Sequence, residues 1–290
     1  MGSTSVIVGI HGLANKPPVD EKTRWWRAAI AEGLIRNEGL SDPHFAFEFV
    51  YWADLRYDAP LREESNREPY RRHGGAGPLP GEDEAPALTE KVVLAPLYAG
   101  IDRLEETTGV TLVDDAILEY RFDDLWYYHA ERDFARDVRA RLAARLRACR
   151  HRRILLVAHS MGSVIAYDVL RLLEREDPAL RVEHLVTVGS PLGLAKVKLK
   201  IEAEHGAARV PANVARWTNL ADGHDVVAIM GTLDEAFAPS DAGLRVVDRR
   251  VVNTYSRPDG GRNHHKSYGY LRTPELSRIA RAYATSSGGA

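Results

Sequence analysis

The run Ile154-Leu155-Leu156-Val157-Ala158-His159-Ser160-Met161-Gly162-Ser163 sets a serine between two small residues, Ala158 and Gly162, at the end of an aliphatic stretch. Apolar residues follow at helical spacing: Val164, Ile165, Val169, Leu170 and Leu172. A strand, a sharp turn and a helix in this order form a nucleophile elbow, whose strained turn lifts the serine hydroxyl clear of the sheet. The start of the following helix supplies backbone N–H groups and a dipole that favour developing negative charge. The chemistry so marked is nucleophilic attack by Ser160. Ala158 is one methyl group larger than the glycine of the full motif.

A serine hydroxyl needs a base to take its proton and a third group to orient that base. With the acid and then the histidine expected downstream of the serine, three of the eleven histidines remain: His224, His264 and His265. His224 abuts the acid candidates themselves. The other two stand in Asn263-His264-His265-Lys266-Ser267-Tyr268-Gly269-Tyr270-Leu271, a loop between the last strand and the last helix. His265 is the preferred base and His264 the alternative. Asp222 and Asp225, in Ala221-Asp222-Gly223-His224-Asp225-Val226-Val227, are the acid candidates. Asp225 is preferred because a short apolar run anchors it, which leaves Asp222 to hold an Asx turn. Acyl transfer also needs donors for an oxyanion. The N–H groups of Met161 and of Leu13, in His11-Gly12-Leu13-Ala14, fit that need, with Gly12 allowing close approach and the His11 ring bracing the loop. The tandem histidines lack a nearby cysteine or a His-x-x-x-His spacing, so no metal is expected.

Alternating strands and helices must bring these stretches together. Strands are expected at 5–10, 45–52, 154–158, 184–188, 216–220 and 249–254. Helices are expected at 21–37 (Trp25, Trp26, Ile30, Leu34 and Ile35 on one face), 133–147, from the elbow to 175, and 274–284. This pattern predicts one α/β domain over 1–290, with a mostly parallel sheet of about six strands covered on both faces and the chemistry at the carboxyl ends of the strands. Residues 56–130 break the rhythm. A Gly-, Pro- and acid-rich loop at 71–86 precedes apolar residues at helical spacing (Leu88, Val92, Val93, Leu97, Ile101, Leu104) and an aromatic cluster, Tyr120, Phe122, Leu125, Trp126, Tyr127 and Tyr128. The segment reads as a helical insertion over the end of the sheet, its aromatics suggesting a partly apolar pocket. Residues 285–290 read as a disordered tail.

Composition narrows the class. The formal net charge of −2 argues against a phosphate-backbone partner, so no nucleic acid is expected. Cys149, the only cysteine, can form neither an internal disulfide nor a thiolate cluster. The apolar stretch Val6-Ile7-Val8-Gly9-Ile10 is too short for a secretory signal, and no window nears the ~18 apolar residues of a membrane span. A cytoplasmic location is the expectation. Oligomeric state is not legible.

Together these residues resemble the α/β-hydrolase superfamily, in particular its bacterial lipase and esterase branch. The resemblance rests on Ile10-His11-Gly12-Leu13, Ala158-His159-Ser160-Met161-Gly162, Gly189-Ser190-Pro191-Leu192-Gly193 and the histidine loop ending Gly269-Tyr270-Leu271. Trp217-x-Asn219 through Asp225-Val226-Val227-Ala228 is similar to the acid-bearing loop of lipase-like members, and the alanine elbow to that of small Bacillus lipases. The match covers nearly the whole chain except 56–130, and the usual leading hairpin is missing. It implies hydrolysis of a small-molecule carboxyl ester through an acyl-enzyme without a cofactor, by Ser160, Asp225 and His265. An acyltransferase or thioesterase on the same triad, or a non-catalytic binding protein on the same scaffold, are the competing expectations.

Overall fold

The computed structural model describes residues 4–85, 123–228 and 232–286. Six strands form one parallel sheet: β1 (Ser5–Ile10), β3 (Phe47–Val50), β4 (Arg153–His159), β5 (His184–Val188), β6 (Trp217–Asp222) and β7 (Val246–Val251). Their order across the sheet is β3-β1-β4-β5-β6-β7. β1 and β4 pair over their whole lengths, from Ser5 opposite Arg153 to Ile10 opposite Ala158. Both strands are almost wholly buried and rich in Val, Ile and Leu, as parallel strands covered on two faces must be.

Side chains alternate across the sheet into two cores. Val6, Val8, Ile10, Leu156 and Ala158 share one core with the helices α3 (Arg132–Ala148) and α4 (Met161–Glu176). Ile7, Leu155, Val157, Val186 and Leu220 share the other with α1 (Val19–Glu38) and α8 (Pro274–Arg281), through Trp26, Ile30, Leu34, Leu276 and Ala280. The close fit of α1 to its partners depends on Gly33, where a Cβ would lie 2.5 Å from Ser277 Oγ and 2.9 Å from Arg272 Cα. α1 ends at Gly39, which takes the left-handed conformation at φ 67°. α8 starts at Thr273, whose hydroxyl accepts from Leu276 N–H, with Pro274 next.

The remaining helices are short or peripheral: α2 (Asp123–Ala130), α5 (Ala195–His205), α6 (Leu233–Ala236) and α7 (Ser267–Leu271). From β1 the chain moves to one side, into β3, and then crosses to β4 on the other. This reversal opens a crevice past the carboxyl ends of β1 and β4, where the loop at Gly12 and the turn at Ser160 meet.

Two expected strands shift. β3 covers 47–50 rather than 45–52, because Trp52 N–H turns away to donate to His11 Nε2 at 3.0 Å. β7 covers 246–251 rather than 249–254, because Asn253 N–H leaves the ladder for Asp222 Oδ2 at 2.6 Å. The tail also differs from expectation: Thr285–Ser286 (β8) pairs antiparallel with Pro43–His44 (β2). Within the insertion, Leu88, Val92, Val93, Leu97, Ile101, Leu104, Tyr120 and Phe122 lie outside the described residues. Among the described residues no helix is long and apolar enough to cross a membrane.

Candidate active site

Ser160 stands between β4 and α4 with φ 56° and ψ −129°, a conformation that costs most side-chain-bearing residues of order 1–3 kcal/mol. Packing enforces it. A Cβ on Gly162 would lie 2.6 Å from His11 O and 2.8 Å from Ile10 O, and one on Gly12 would lie 2.5 Å from Ser160 Cβ. The two glycines therefore let the β1 loop close onto the turn. Ser163 Oγ donates to Ser160 O at 2.5 Å and is 2.7 Å from Ser190 Oγ, tying the turn to the segment after β5.

The aspartate and histidine meet at a bidentate contact. His265 Nδ1 lies 2.9 and 2.8 Å from the two oxygens of Asp225. Asp225 also accepts from Val227 N–H at 3.0 Å and from Tyr270 OH at 2.6 Å. Burial and the neighbouring carboxylate push the Tyr270 hydroxyl well above its ordinary pKa, so it stays a donor. Gly189, at φ 55°, makes room for the pair: a Cβ there would lie 2.9 Å from Asp225 Oδ2 and 3.1 Å from His265 Nδ1. Ser160 and His265 line one cavity of about 450 Å³. Ser160 Oγ is buried and has no hydrogen-bond partner among the described residues. The hydroxyl is thus not bonded to His265, a looseness common before substrate tightens such a site.

The alternatives are placed elsewhere. Asp222 accepts from His224 N–H at 2.8 Å in an Asx turn and from Asn253 N–H. His264 Nδ1 lies 3.5 Å from Asp222, not from Asp225. Burial alone would raise the Asp222 pKa, but the His264, Asn253 and His224 contacts hold it below its ordinary value. Asp222, His224 and His264 each offer one ligand atom, all within 4.8 Å of one another, as do Asp168, Glu204 and His205. Arg139 already pairs with Asp168 at 2.7 Å, which disfavours a cation in the second group.

The β1 loop has a defined tautomer. Trp52 N–H can only donate, so His11 Nε2 accepts and Nδ1–H donates to Gly12 O at 2.8 Å. Burial, with nearby Lys16, holds the His11 pKa well below 6.5, consistent with this neutral ring. Gly12 O is thereby turned toward His11. Leu13 N–H makes no hydrogen bond among the described residues, whereas Ala14 N–H donates to Asp124 Oδ2 at 2.6 Å. Met161 N–H belongs to the first turn of α4, whose N–H groups lack intrahelical partners.

Three supports had no sequence signal strong enough to single them out. His159 Nε2–H donates to His265 O at 2.7 Å, so the residue before the serine braces His265 from behind. Asn253 Nδ2 donates to the carbonyls of His264 and Lys266 at 2.7 and 2.9 Å, clamping the histidine loop. Tyr270 OH holds Asp225. Their partners are 11 to 106 residues away in the chain, beyond the reach of any local pattern.

The expected aromatic cluster is described only in part, since Tyr120 and Phe122 lie outside the described residues. Trp126, Tyr127 and Tyr128 are not on the cavity wall. Trp126 is half-exposed, Tyr127 packs on Phe134 at 5.1 Å, and Tyr128 OH donates to Asp168 at 2.7 Å. Their spacing serves the packing of α2 on α3. The start of the same segment does reach the cavity, through Tyr57, Leu61 and residues 65–68, beside Lys16, Lys22, Asn263 and Lys266. No protein-family model and no curated protein sequence matches this chain.

Proposed function

We propose that this protein is a serine carboxyl-ester hydrolase of the α/β-hydrolase type, working through an acyl-enzyme. The observation that carries the reading is the buried Asp225–His265 pair, whose imidazole lines the same cavity as the strained hydroxyl of Ser160, itself without a hydrogen-bond partner among the described residues. In the first half-reaction Ser160 Oγ bonds to the ester carbonyl carbon as His265 Nε2 takes its proton. Asp225 fixes the Nδ1–H tautomer and stabilises the imidazolium. The N–H groups of Leu13 and Met161 hold the oxyanion. Collapse breaks the bond to the alcohol, which leaves with the proton from His265. Water, deprotonated by His265, then bonds to the acyl carbon; the bond to Ser160 Oγ breaks, the carboxylic acid is released, and His265 returns the proton to Ser160.

The test is hydrolysis of short 4-nitrophenyl esters together with labelling by a fluorophosphonate. Wild-type protein is expected to hydrolyse the esters and to label once. Ser160→Ala is expected to lose the label and at least ~10³-fold in kcat/KM. Full activity in Ser160→Ala would overturn the reading.

A further inference from the structure

The cavity around Ser160 is charged. Lys16, Lys22, Arg67 and Lys266 line it, against one carboxylate, Glu68. Lys266 Nζ pairs with Glu68 Oε2 at 2.6 Å, and Asn263 Nδ2 donates to the other oxygen at 2.6 Å, so that acid is already committed. Among the described residues Lys16 and Lys22 donate only to neutral acceptors. Lys22 Nζ donates to Tyr268 OH at 2.8 Å and lies 4.3 Å over the same ring, while Lys16 Nζ donates to Leu13 O and to Ala14 O. Among the described residues neither has a carboxylate within ion-pair distance, although Lys22 is only 4% exposed.

Removing an ammonium from water without a counter-charge is costly, and a hydroxyl or carbonyl only partly offsets it. The strain shows in both groups. Burial and repulsion from Lys266 bring Lys16 down to about 7, and burial with Lys266 and Lys16 holds Lys22 well below its ordinary value. Asp124, the other acid that acts on Lys16, is taken up by Ala14 N–H and Tyr57 OH.

Resting on the reading of Ser160 as the acylated nucleophile, we propose that the substrate is an anionic ester, whose acyl or alcohol half carries a carboxylate or phosphate that seats against Lys16 and Lys22. Because Lys16 Nζ bonds to Leu13 O, on the loop whose Leu13 N–H meets the oxyanion, the anion belongs a few bonds from the scissile carbonyl. A neutral fatty chain in this position would leave the buried Lys22 and the half-buried Lys16 without a counter-charge among the described residues. An anion supplies it through charge-assisted hydrogen bonds.

Two matched ester pairs decide the matter. The 4-nitrophenyl monoester of glutarate against 4-nitrophenyl pentanoate probes an acyl-side anion. 2-(Phosphonooxy)ethyl acetate against 2-methoxyethyl acetate probes an alcohol-side one. In at least one pair the anionic ester is expected to have the higher kcat/KM by tenfold or more. Lys22→Met is expected to shrink that ratio at least tenfold, and inorganic phosphate to slow fluorophosphonate labelling of wild-type Ser160 more than chloride does at equal ionic strength. Ratios at or below one in both pairs, with Ser160 still labelled, would overturn the anionic substrate alone. Absence of both labelling and hydrolysis would overturn the hydrolase reading and this inference with it. Should Lys22→Met fail to fold, the wild-type ratios and the phosphate competition decide on their own.

Discussion

At the scale of single residues, the site separates two aspartates that are near-equivalent in sequence. Asp225 holds the imidazole of His265, whereas Asp222 spends its oxygens on backbone N–H groups. Asp225→Asn is therefore expected to lower kcat by on the order of 10³–10⁴-fold with modest change in KM. Asp222→Asn should act mainly on stability, read as a lower denaturant midpoint with far smaller loss of kcat. Ser160 makes a second prediction. Its φ of 56° suits glycine, so Ser160→Gly should abolish ester turnover while raising stability by about 1 kcal/mol in chemical denaturation. The strand–turn–helix pattern marks Ser160, and the loops after later strands mark Asp225 or Asp222 and His265 or His264 as its expected partners. His159, Asn253 and Tyr270 were not legible in the sequence. A hydrogen bond to a backbone carbonyl 106 residues away leaves no local periodicity.

Elements position the site through close backbone approach. The β1 loop, the elbow, the segment after β5 and the histidine loop converge because small residues stand at each contact. Gly269 is the tightest: a Cβ there would lie 1.6 Å from Asn253 Oδ1, the atom that accepts from Tyr255 N–H. Gly269→Ala must displace Asn253 and with it the clamp on His264 and Lys266. It is expected to cost at least ~1–3 kcal/mol of stability and to lower kcat, because the loop carrying His265 shifts. Comparing thermal midpoint and kcat for Gly269→Ala and the exposed Gly243→Ala checks this, since nothing lies within 4 Å of a Cβ at Gly243 and only its positive φ is penalised. Most strands and helices were readable from apolar pattern to within a few residues. The displaced ends of β3 and β7 were not, because a side chain, His11 or Asp222, took the N–H that would have extended the ladder.

For the whole molecule, buried neutral histidines set the acid limit. Burial holds His11 and His159 well below 6.5, with Lys16 and His265 respectively adding to it, and brings His184 to about 4. An unfolded chain takes up these protons near pH 6.5 and the folded chain only at lower pH. Between those limits the unfolded state binds more protons, so stability falls as pH drops from about 6.5 toward 4. His184 alone accounts for about 3 kcal/mol over that window. Thermal midpoints from pH 8 to 4 are expected to drop most steeply below 6.5, and His184→Gln should flatten the curve. The cationic cavity is also a property of the whole fold. Lys16, Lys22 and Lys266 come from the β1 loop, α1 and the segment before α7, and the near-neutral total charge gives no hint of their meeting.

By itself the sequence determined the alternation that makes a parallel sheet, the sharp turn at Ser160, and the loops that hold Asp225 and His265. Those depend on apolar period and on local turn chemistry, which are written in adjacent residues. Only the tertiary structure showed that Asp225 rather than Asp222 contacts His265, brought His159 and Asn253 against the histidine loop, and set Lys16, Lys22 and Lys266 rather than Trp126, Tyr127 and Tyr128 on the cavity wall. Such outcomes depend on which distant side chains share a few ångströms of low-dielectric space, and chain folding alone fixes that.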